Sequence, residues 1–273
     1  MKSLDKKNLL NRVITAIIAG SVAVTMIVYS LHSLFFLTLV IILLSIAEYL
    51  LLVGAKILEL SSILVFFSAI AALGLALPEV NQSKLLFKLS LSILILGVPI
   101  LLTYQLIAHN GHGFDNAMKL WFGLIWLTPA GFFWLLLSQK EQSFQFQIPL
   151  GMLFLCWMAD TAAYFVGKFF GKHIISEKVS PNKTWEGFVG GIVGNLILSY
   201  FLQNYWPQSF SWYWIGFLTV PVGLIGDLVE SMFKRSRNIK DSSGLLPGHG
   251  GFLDRFDGFF FVIPFHWVII QLW

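Results

Sequence analysis

The sequence predicts an all-α polytopic membrane protein, and three observations support this fold class. Of the 273 residues, 57% are hydrophobic and only 12% are charged, whereas soluble domains carry roughly a quarter charged residues. The mean hydropathy is +0.78. Apolar runs of about 20 residues, the length that a membrane-spanning helix needs, recur along the chain, without the alternating strands of about 9–11 residues that are typical of a transmembrane β-barrel. We therefore exclude a soluble protein and a β-barrel.

Nine membrane spans follow when polar breaks divide the apolar runs. They cover residues 13–30, 32–54, 61–78, 86–107, 117–137, 148–167, 184–203, 211–233 and 252–272. The second span follows the first after only a few residues, which favours an uncleaved helical hairpin over a signal peptide. The single cysteine, Cys156, lies inside an apolar run, which excludes disulfides and a cysteine-based metal site.

The predicted spans form one integral membrane domain over residues 1–273, because the sequence has no internal repeat, low-complexity tract or long linker. Within it, we expect residues 1–147, with spans 1 to 5, to support the fold, bind lipid or mediate assembly. Residues 148–273, with spans 6 to 9 and the longer loops, are expected to carry the chemistry.

Lysine and arginine residues are unevenly distributed between the predicted loops. Fourteen lie on the side of the N-terminus, against only Lys84, Lys88 and Lys140 on the other side, with Lys119 at the edge of a span. Because cytoplasmic loops carry the excess of basic residues, we expect a cytoplasmic N-terminus, an external C-terminus and a multi-pass location in the inner membrane. The same bias accounts for the net charge of +4, so no nucleic-acid partner is implied.

Acidic residues inside the apolar spans need an explanation. Inserting a charged side chain at mid-bilayer costs about 2.5–3.5 kcal/mol or more of free energy. Glu48, Asp160 and Asp227 lie in spans 2, 6 and 8, each within eight residues of a basic residue at the inner end. They therefore share one depth in the cytoplasmic third of the membrane. Asp254 and Asp257 open span 9 from the same side. We expect these five acids to face one inward-opening cavity, with Glu48 as a structural polar partner in preference to a metal ligand.

The end of span 8 carries the sharpest local pattern. Asp227, Glu230, Ser231 and Lys234 follow the spacing i, i+3, i+4 and i+7, which places them on one helix face. Asp227 would be deepest and Lys234 would lie at the water boundary. This pattern fits either a solvated helix end or an acidic metal site with a phosphate-binding cation one turn above it.

The loop after span 8 combines positive charge with glycine. Its glycines and Pro247 predict a tight turn in which backbone N–H groups can face an anion. Asp254 and Asp257 follow three residues apart, on what we expect to be one face of the next helix. Carboxylates suit Mg²⁺, which is usually bound through one or two of them together with substrate phosphates. The loop and the acids together indicate metal-assisted phosphoryl or nucleotidyl transfer at the membrane surface.

One run resembles the signature of the phosphatidate cytidylyltransferases, also called CDP-diacylglycerol synthases. It matches S-x-x-K-R-x4-K-D-x-S-x2-L-P-x-H-G-G-x-x-D-R-x-D at Ser231, Lys234, Arg235, Lys240, Asp241, Ser243, Leu246, Pro247, His249, Gly250, Gly251, Asp254, Arg255 and Asp257. Two further segments are similar to the family: SPNKTWEG at residues 180–187, and DTAAY at 160–164 with the two Gly-Lys pairs that follow it. This resemblance covers roughly the C-terminal half, whereas spans 1 to 5 match only as hydrophobic helices.

The resemblance implies a nucleotidyltransferase of phospholipid biosynthesis that converts CTP and phosphatidic acid in the bilayer to CDP-diacylglycerol and pyrophosphate. The lipid phosphate would attack the CTP α-phosphorus in line, without a covalent enzyme intermediate. The cofactor would be one or two Mg²⁺ ions, with an accessory monovalent ion left open.

The resemblance implies three groups of site residues. We expect the site that they form to face the cytoplasm. The metal ligands would be Asp227, Asp254 and Asp160. The catalytic residues would be Lys234, Arg235, Asp257 and Ser231. The substrate-binding residues would be Lys183, Arg237, Lys240, His249, Gly250, Gly251 and Arg255.

Some residues near these motifs have simpler structural interpretations. Ser180 followed by Pro181 fits a helix N-cap and a proline at the first helical position, and Glu186 suits the first turn of the next helix. The glycines at 187 and 191, and those at 190 and 194, have the GxxxG spacing that permits close helix packing and also a homodimer. A metal site at His109 and His112 is disfavoured.

Other functions remain open from the sequence alone. A sister activity would use CTP with another lipid phosphate, such as an isoprenoid ether lipid, or would phosphorylate a lipid alcohol. An ion-coupled transporter would also place acids inside the membrane, but here the acids lie towards one face and the longest loop is cationic. A scaffold or assembly factor would require the charged cluster to be inert.

Overall fold

The computed structural model describes residues 6–108, 113–140, 143–244 and 250–272. The helices are α1 Lys6–Tyr29, α2 Leu31–Leu52, α3 Leu60–Gly74, α4 Pro78–Gln82, α5 Lys84–Ala108, α6 Gly113–Leu137, α7 Gln147–Phe170, α8 Trp185–Tyr205, α9 Trp212–Ser236 and α10 Phe259–Gln271. The strands are β1 Gln139–Lys140, β2 Ser143–Phe144, β3 Ile174–Ser176 and β4 Ser180–Thr184.

The mostly helical membrane character that the sequence predicts is confirmed. In the described part of the chain, α2, α5, α6, α7, α8 and α9 are long and apolar enough to cross a membrane. Three shorter apolar helices, Thr15–Tyr29 within α1, Leu60–Gly74 and Phe259–Gln271, lie in the first, third and ninth predicted spans. The number of crossings and the direction of the termini stay predictions.

The ninth predicted span, 252–272, begins too early: the helix starts several residues later than predicted. Residues Leu253–Arg255 form a 3₁₀ turn, and α10 begins only at Phe259. Asp254 accepts hydrogen bonds from backbone N–H groups, and the Asp257 carboxylate accepts one from Gly258 N at 2.6 Å. Such side-chain to backbone bonds compete with helical hydrogen bonding. Asp254 and Asp257 therefore do not share a helix face.

Two short antiparallel β-hairpins, β1–β2 and β3–β4, add to the predicted helices. In the second hairpin Ser176 lies opposite Ser180, and Ile174 opposite Thr184. Ser180 is therefore a strand residue, and its interpretation as a helix N-cap was wrong. The N-cap of α8 is Thr184, whose hydroxyl accepts a hydrogen bond from Gly187 N at 3.2 Å.

By its contacts the chain divides into two compact units. The first unit contains residues 1–144 together with Asp241–Arg255, so part of the signature run groups with the N-terminal helices. Its core includes Tyr49, whose ring packs on Gly123 of α6 and whose hydroxyl donates to Lys119 O at 2.9 Å. A side chain at Gly131 of α6 would collide with α2 and α3. The prediction of a single domain stays a prediction.

The second unit contains residues 145–240 and 256–273, and its central contact is between α7 and α8. A Cβ atom at Gly187 would lie 2.8 Å from the carbonyl oxygen of Ala163, and one at Gly194 would lie 2.7 Å from the Ala162 side chain. The packing role predicted for these glycines is thereby confirmed. Their partner is a helix of the same chain, so the GxxxG spacing no longer favours a homodimer.

Candidate active site

Helix α9 carries the predicted row of polar side chains on its C-terminal half. The Ser231 hydroxyl donates a hydrogen bond to Asp227 Oδ1 at 3.2 Å. One turn on, the Lys234 ammonium lies 2.6 Å from Glu230 Oε2. Glu230 is fully buried and Lys234 is 8% exposed. Lys234 is therefore covered by protein, and its predicted depth at the water boundary stays a prediction.

Glu230 explains why Lys234 can be buried. An ammonium removed from water needs an opposite charge close by, and the glutamate one turn earlier supplies it. The i, i+4 spacing of acid and base was present in the sequence as a signal for this pair. Glu230 is thus a site residue that the sequence interpretation left without a role.

Lys183 and Asp227 form an ion pair within the second unit. Lys183 comes from β4, immediately before the N-cap of α8, and Asp227 comes from α9. The side chains keep 27% and 29% of their surface exposed, so both remain accessible to a ligand. The structure thereby brings together a predicted substrate-binding lysine and a predicted metal ligand.

The second unit adds two further acids to this pair. Asp257 lies in the turn before α10, and Asp160 is exposed on α7. Burial raises the pKa of the Asp257 carboxyl above its usual range; the charges of Asp227 and Asp160 raise it further, while Lys183 lowers it. Three of the five predicted acids are therefore in electrostatic contact. The other two, Glu48 and Asp254, belong to the first unit.

This set of acids fits a magnesium ion that is shared with substrate. In the described part of the chain, no group of three or more His, Cys, Asp or Glu side chains is arranged to hold a metal ion by itself. Mg²⁺ keeps several waters and is usually bound through one or two carboxylates plus substrate phosphates. Asp227 and Asp160, two of the three predicted metal ligands, could supply one or two such carboxylates; metal binding stays a prediction.

The part of the signature run in the first unit, Asp241–Arg255, is held together by hydrogen bonds to the Asp254 side chain. The Asp254 carboxylate accepts hydrogen bonds from Ser242 N and Gly251 N, each at 3.0 Å. Gly250 has a φ of +82°, a backbone conformation that favours glycine. A Cβ atom at Gly251 would overlap the Ser242 hydroxyl. The two glycines thus allow the backbone to close on Asp254; metal ligation by this residue stays a prediction.

Glu48 binds the same segment from α2. Its carboxylate accepts hydrogen bonds from the Ser242 and Ser243 hydroxyls and from the backbone N–H groups of Phe252 and Leu253. The side chain is 4% exposed. The interpretation of Glu48 as a structural polar partner agrees with these contacts.

The remaining predicted cations are exposed at the surface of their units. Arg235 donates to the carbonyl oxygen of Ile239 at 2.9 Å, near the end of α9. The Arg237 guanidinium lies 5.8 Å from the centre of the Phe233 ring. Lys240 and Arg255 are exposed. His249, predicted to contact substrate, lies outside the described residues, as do His109 and His112.

Glu186 ties the β3–β4 hairpin to α8. Its carboxylate accepts backbone hydrogen bonds from Lys172 at 3.0 Å and His173 at 3.2 Å, and it lies 2.5 Å from His173 Nδ1. Its place in the first turn of the helix agrees with the prediction. The hairpin that carries Lys183 is therefore fixed at both of its ends, by Glu186 and by the Thr184 cap.

Apolar helices that carry buried acids and accessible cations are consistent with a membrane enzyme that handles phosphate groups. Residues 10–273 match the model of the cytidylyltransferase family, and the chain belongs to this family of nucleotidyltransferases. The match includes the N-terminal helices, which the motifs alone left without a counterpart.

Individual relatives agree with this family. The chain is 36% identical over 185 residues to the phosphatidate cytidylyltransferase of Bacillus subtilis (strain 168), covering 67% of this chain and 68% of the relative. It is 36% identical over 200 residues to the protein of the same name from Staphylococcus saprophyticus, covering 72% and 75%. A Haemophilus influenzae protein of that name is 42% identical over 123 residues, covering 42% and 43%. The resemblance inferred from the sequence is confirmed.

Proposed function

We propose that the protein is a phosphatidate cytidylyltransferase, which converts CTP and phosphatidic acid to CDP-diacylglycerol and pyrophosphate in phospholipid biosynthesis. The observation that carries this proposal is the family match over residues 10–273. The ion pair of Lys183 and Asp227, with two further acids around it, is consistent with phosphate chemistry.

The nucleophile in this reaction is the phosphate of the lipid. Its second pKa is near 6, so it is already anionic at pH 7 and no general base is required. One of its oxygens attacks the α-phosphorus of CTP in line; the bond from the α-phosphorus to the oxygen bridging to the β-phosphorus breaks, and pyrophosphate leaves. The main obstacle is repulsion between two anions. Positive charge around the α-phosphorus lowers this barrier most effectively.

The chain offers this positive charge from two elements. Lys183 on β4 is held by Asp227, and on binding of a triphosphate it can exchange this carboxylate for a phosphate oxygen. Lys234 on α9 is held by Glu230, and Arg235 lies beside it at the helix end. We assign Lys234, Arg235, Ser231 and Asp257 to the chemical step. The substrate-binding role goes to Lys183, Arg237, Lys240, Gly250, Gly251 and Arg255, together with His249.

We assign Asp227, Asp254 and Asp160 as ligands of one or two Mg²⁺ ions. When bound, such an ion acts as a Lewis acid that neutralises phosphate charge. The carboxylates provide its oxygen ligands, and Lys183 balances Asp227 before substrate binds. We further propose that the site faces the cytoplasm from the inner membrane, in keeping with the distribution of lysine and arginine along the sequence.

Pyrophosphate release by the purified protein in detergent tests the proposed function. With CTP, phosphatidic acid and Mg²⁺, we expect release that stops when the lipid is omitted or ATP replaces CTP. Asp227→Asn and Asp254→Asn should each abolish it. Asp115→Asn, at an exposed acid in the first turn of α6, is the matched control and should leave the rate unchanged.

The competing functions give different results in the same assay. Release with an isoprenoid ether lipid phosphate but not with phosphatidic acid would identify a sister activity. Substrate flux into vesicles without nucleotide turnover would identify a transporter. No release under any condition from folded protein would contradict the proposed function.

A further inference from the structure

The buried carboxylate of Glu48 accepts more hydrogen bonds than are needed to replace the water it loses on burial. Each carboxylate oxygen accepts one hydroxyl and one backbone N–H donor: Oε1 from Ser243 Oγ at 2.5 Å and Phe252 N at 2.7 Å, Oε2 from Ser242 Oγ at 2.8 Å and Leu253 N at 2.7 Å. Four donors for one carboxylate fill its acceptor sites. All four come from a single segment of the chain.

This segment, Asp241–Arg255, is the part of the signature run that belongs to the first unit. The two serines lie near its beginning, and Phe252 and Leu253 lie near its end. Glu48 therefore joins the two ends of the segment, and Asp254 closes it a second time through Ser242 N and Gly251 N. Leu253 is fully buried and Ser242 is 7% exposed, so the two hydrogen bonds to Glu48 Oε2 are shielded from water.

We propose that Glu48 is a positioning residue of the active site, which holds residues 242–243 and 252–253, the described ends of the signature segment, in the arrangement needed for substrate binding. The proposal rests on the proposed function, because Gly250, Gly251 and Arg255 are assigned there to substrate binding. It gives α2 an indirect part in the chemistry, through the segment that Glu48 holds, whereas the sequence assigned the N-terminal helices only to support, lipid binding or assembly.

The chemical requirement at Glu48 is two acceptor oxygens and no donor. Glu48→Gln has nearly the same shape, but it places an amide N–H₂ against a backbone N–H of Phe252 or Leu253. The serine hydroxyls can rotate to accommodate the amide, whereas the backbone N–H cannot. Glu48→Asp keeps both acceptor oxygens on a side chain that is shorter by one methylene. We therefore expect the aspartate variant to recover part of what the glutamine variant loses.

Hydrogen exchange of the full-length protein in detergent measures the positioning directly and without reference to activity. In Glu48→Gln, the amides of Phe252 and Leu253 should exchange roughly tenfold or more faster, since hydrogen bonds to a charged group are the stronger ones. Ser45→Ala is the matched control: Ser45 is a fully buried residue of α2 whose hydroxyl has no hydrogen-bond partner in the part of the chain that the structure describes. This control should leave both exchange and turnover unchanged.

A double-mutant cycle distinguishes positioning from a general loss of stability. Glu48→Gln should lower kcat/KM for CTP by at least roughly tenfold, and Ser242→Ala combined with Ser243→Ala should lower it less, because both backbone donors remain. All three substitutions together should lower kcat/KM by less than the product of the two separate losses, because Glu48 and the serines act through the same segment. A general folding defect would instead make the losses add.

The outcomes separate this proposal from the proposed function. Unchanged exchange in the segment, or faster exchange with unchanged turnover, would overturn the positioning role. If Glu48→Gln does not fold, the Ser242→Ala and Ser243→Ala pair decides: faster exchange confined to the segment, with reduced turnover, supports the proposal, and any other result overturns it. If the unmodified protein releases no pyrophosphate, the proposed function fails, and the positioning role, which rests on it, falls with it.

Discussion

At Lys183 and Asp227, one ion pair joins a residue expected to bind phosphate to a residue expected to bind metal. Exposed ion pairs of this kind contribute at most about 1 kcal/mol to stability, and both side chains remain partly exposed. The pair is thus better suited to exchanging partners than to stabilising the fold. A lysine held in this way is ready to move to a phosphate oxygen once substrate binds.

Replacing Lys183 tests this assignment. Lys183→Gln should lower kcat/KM by roughly a hundredfold, a typical loss when one charge that stabilises a transition state is removed, with little change in thermal stability. Steady-state pyrophosphate release at varied CTP concentration measures this effect. Lys178→Gln, an exposed lysine between β3 and β4, is the control. Equal activity of the two variants would contradict a phosphate contact at Lys183.

The glycines of the signature segment differ sharply in the space around them. A Cβ atom at Gly251 would overlap the Ser242 hydroxyl and lie 2.8 Å from Glu48 Oε2, whereas one at Gly244 would meet nothing within 4 Å among the described residues. Gly251→Ala should therefore abolish most turnover, and Gly244→Ala should be close to neutral. Parallel assays of the two purified variants measure the difference. Full activity of Gly251→Ala would show that the segment can rearrange.

At the scale of an element, α9 is long and apolar enough to cross a membrane, and it carries a buried ion pair near its C-terminal end. Buried pairs often contribute little net stability, because desolvation of the two charges offsets their attraction. Removal of one partner is much more costly, since it leaves an unpaired charge. The pair of Glu230 and Lys234 is therefore explained better by a chemical role for Lys234 than by stability.

Substitutions at this pair separate stability from activity. Glu230→Leu should destabilise the protein by about 3–5 kcal/mol, because Lys234 loses its counter-charge, and the double variant with Lys234→Met should recover most of this loss. The double variant should nevertheless be inactive. Unfolding in mixed detergent, followed by tryptophan fluorescence, measures stability, with Met232→Leu at an exposed position of α9 as control. Activity of the double variant would exclude Lys234 from the reaction.

At the scale of the whole molecule, the distribution of basic residues predicts which side of the membrane the site faces. Fourteen lysine and arginine residues lie on the predicted cytoplasmic side and three on the other. Since CTP is made and used in the cytoplasm, the proposed function requires the same orientation that the charges predict. Labelling from outside the cell tests this requirement.

The test uses single cysteines in a variant whose native cysteine is replaced by Cys156→Ser. Ser209→Cys, in the short loop between α8 and α9, should react with a membrane-impermeant maleimide in intact cells. Lys178→Cys, between β3 and β4, should react only after the membrane is permeabilised. The reverse pattern would place the site outside and contradict both the predicted orientation and the use of cytoplasmic CTP.

Much of the fold could be predicted because its signals are local. The helix α2, predicted at 32–54, is observed at Leu31–Leu52, and α6, predicted at 117–137, ends at Leu137 as expected. Hydropathy along one segment decides these elements, since each span must satisfy its own backbone hydrogen bonds in lipid. The hairpin β3–β4 was not predicted, because two short strands between longer helices leave no periodic pattern of apolar residues.

The sequence by itself determined the membrane class, the positions of the apolar helices and the nucleotidyltransferase signature, because composition, hydropathy and motif spacing belong to single stretches of chain. Only the tertiary structure decided that Lys234 is buried on Glu230, that Asp254 closes a turn of the backbone, and that Glu48 holds this turn. Glu48 and Ser242 are 194 residues apart in sequence. A contact over that separation depends on how distant helices pack, and no local pattern specifies it.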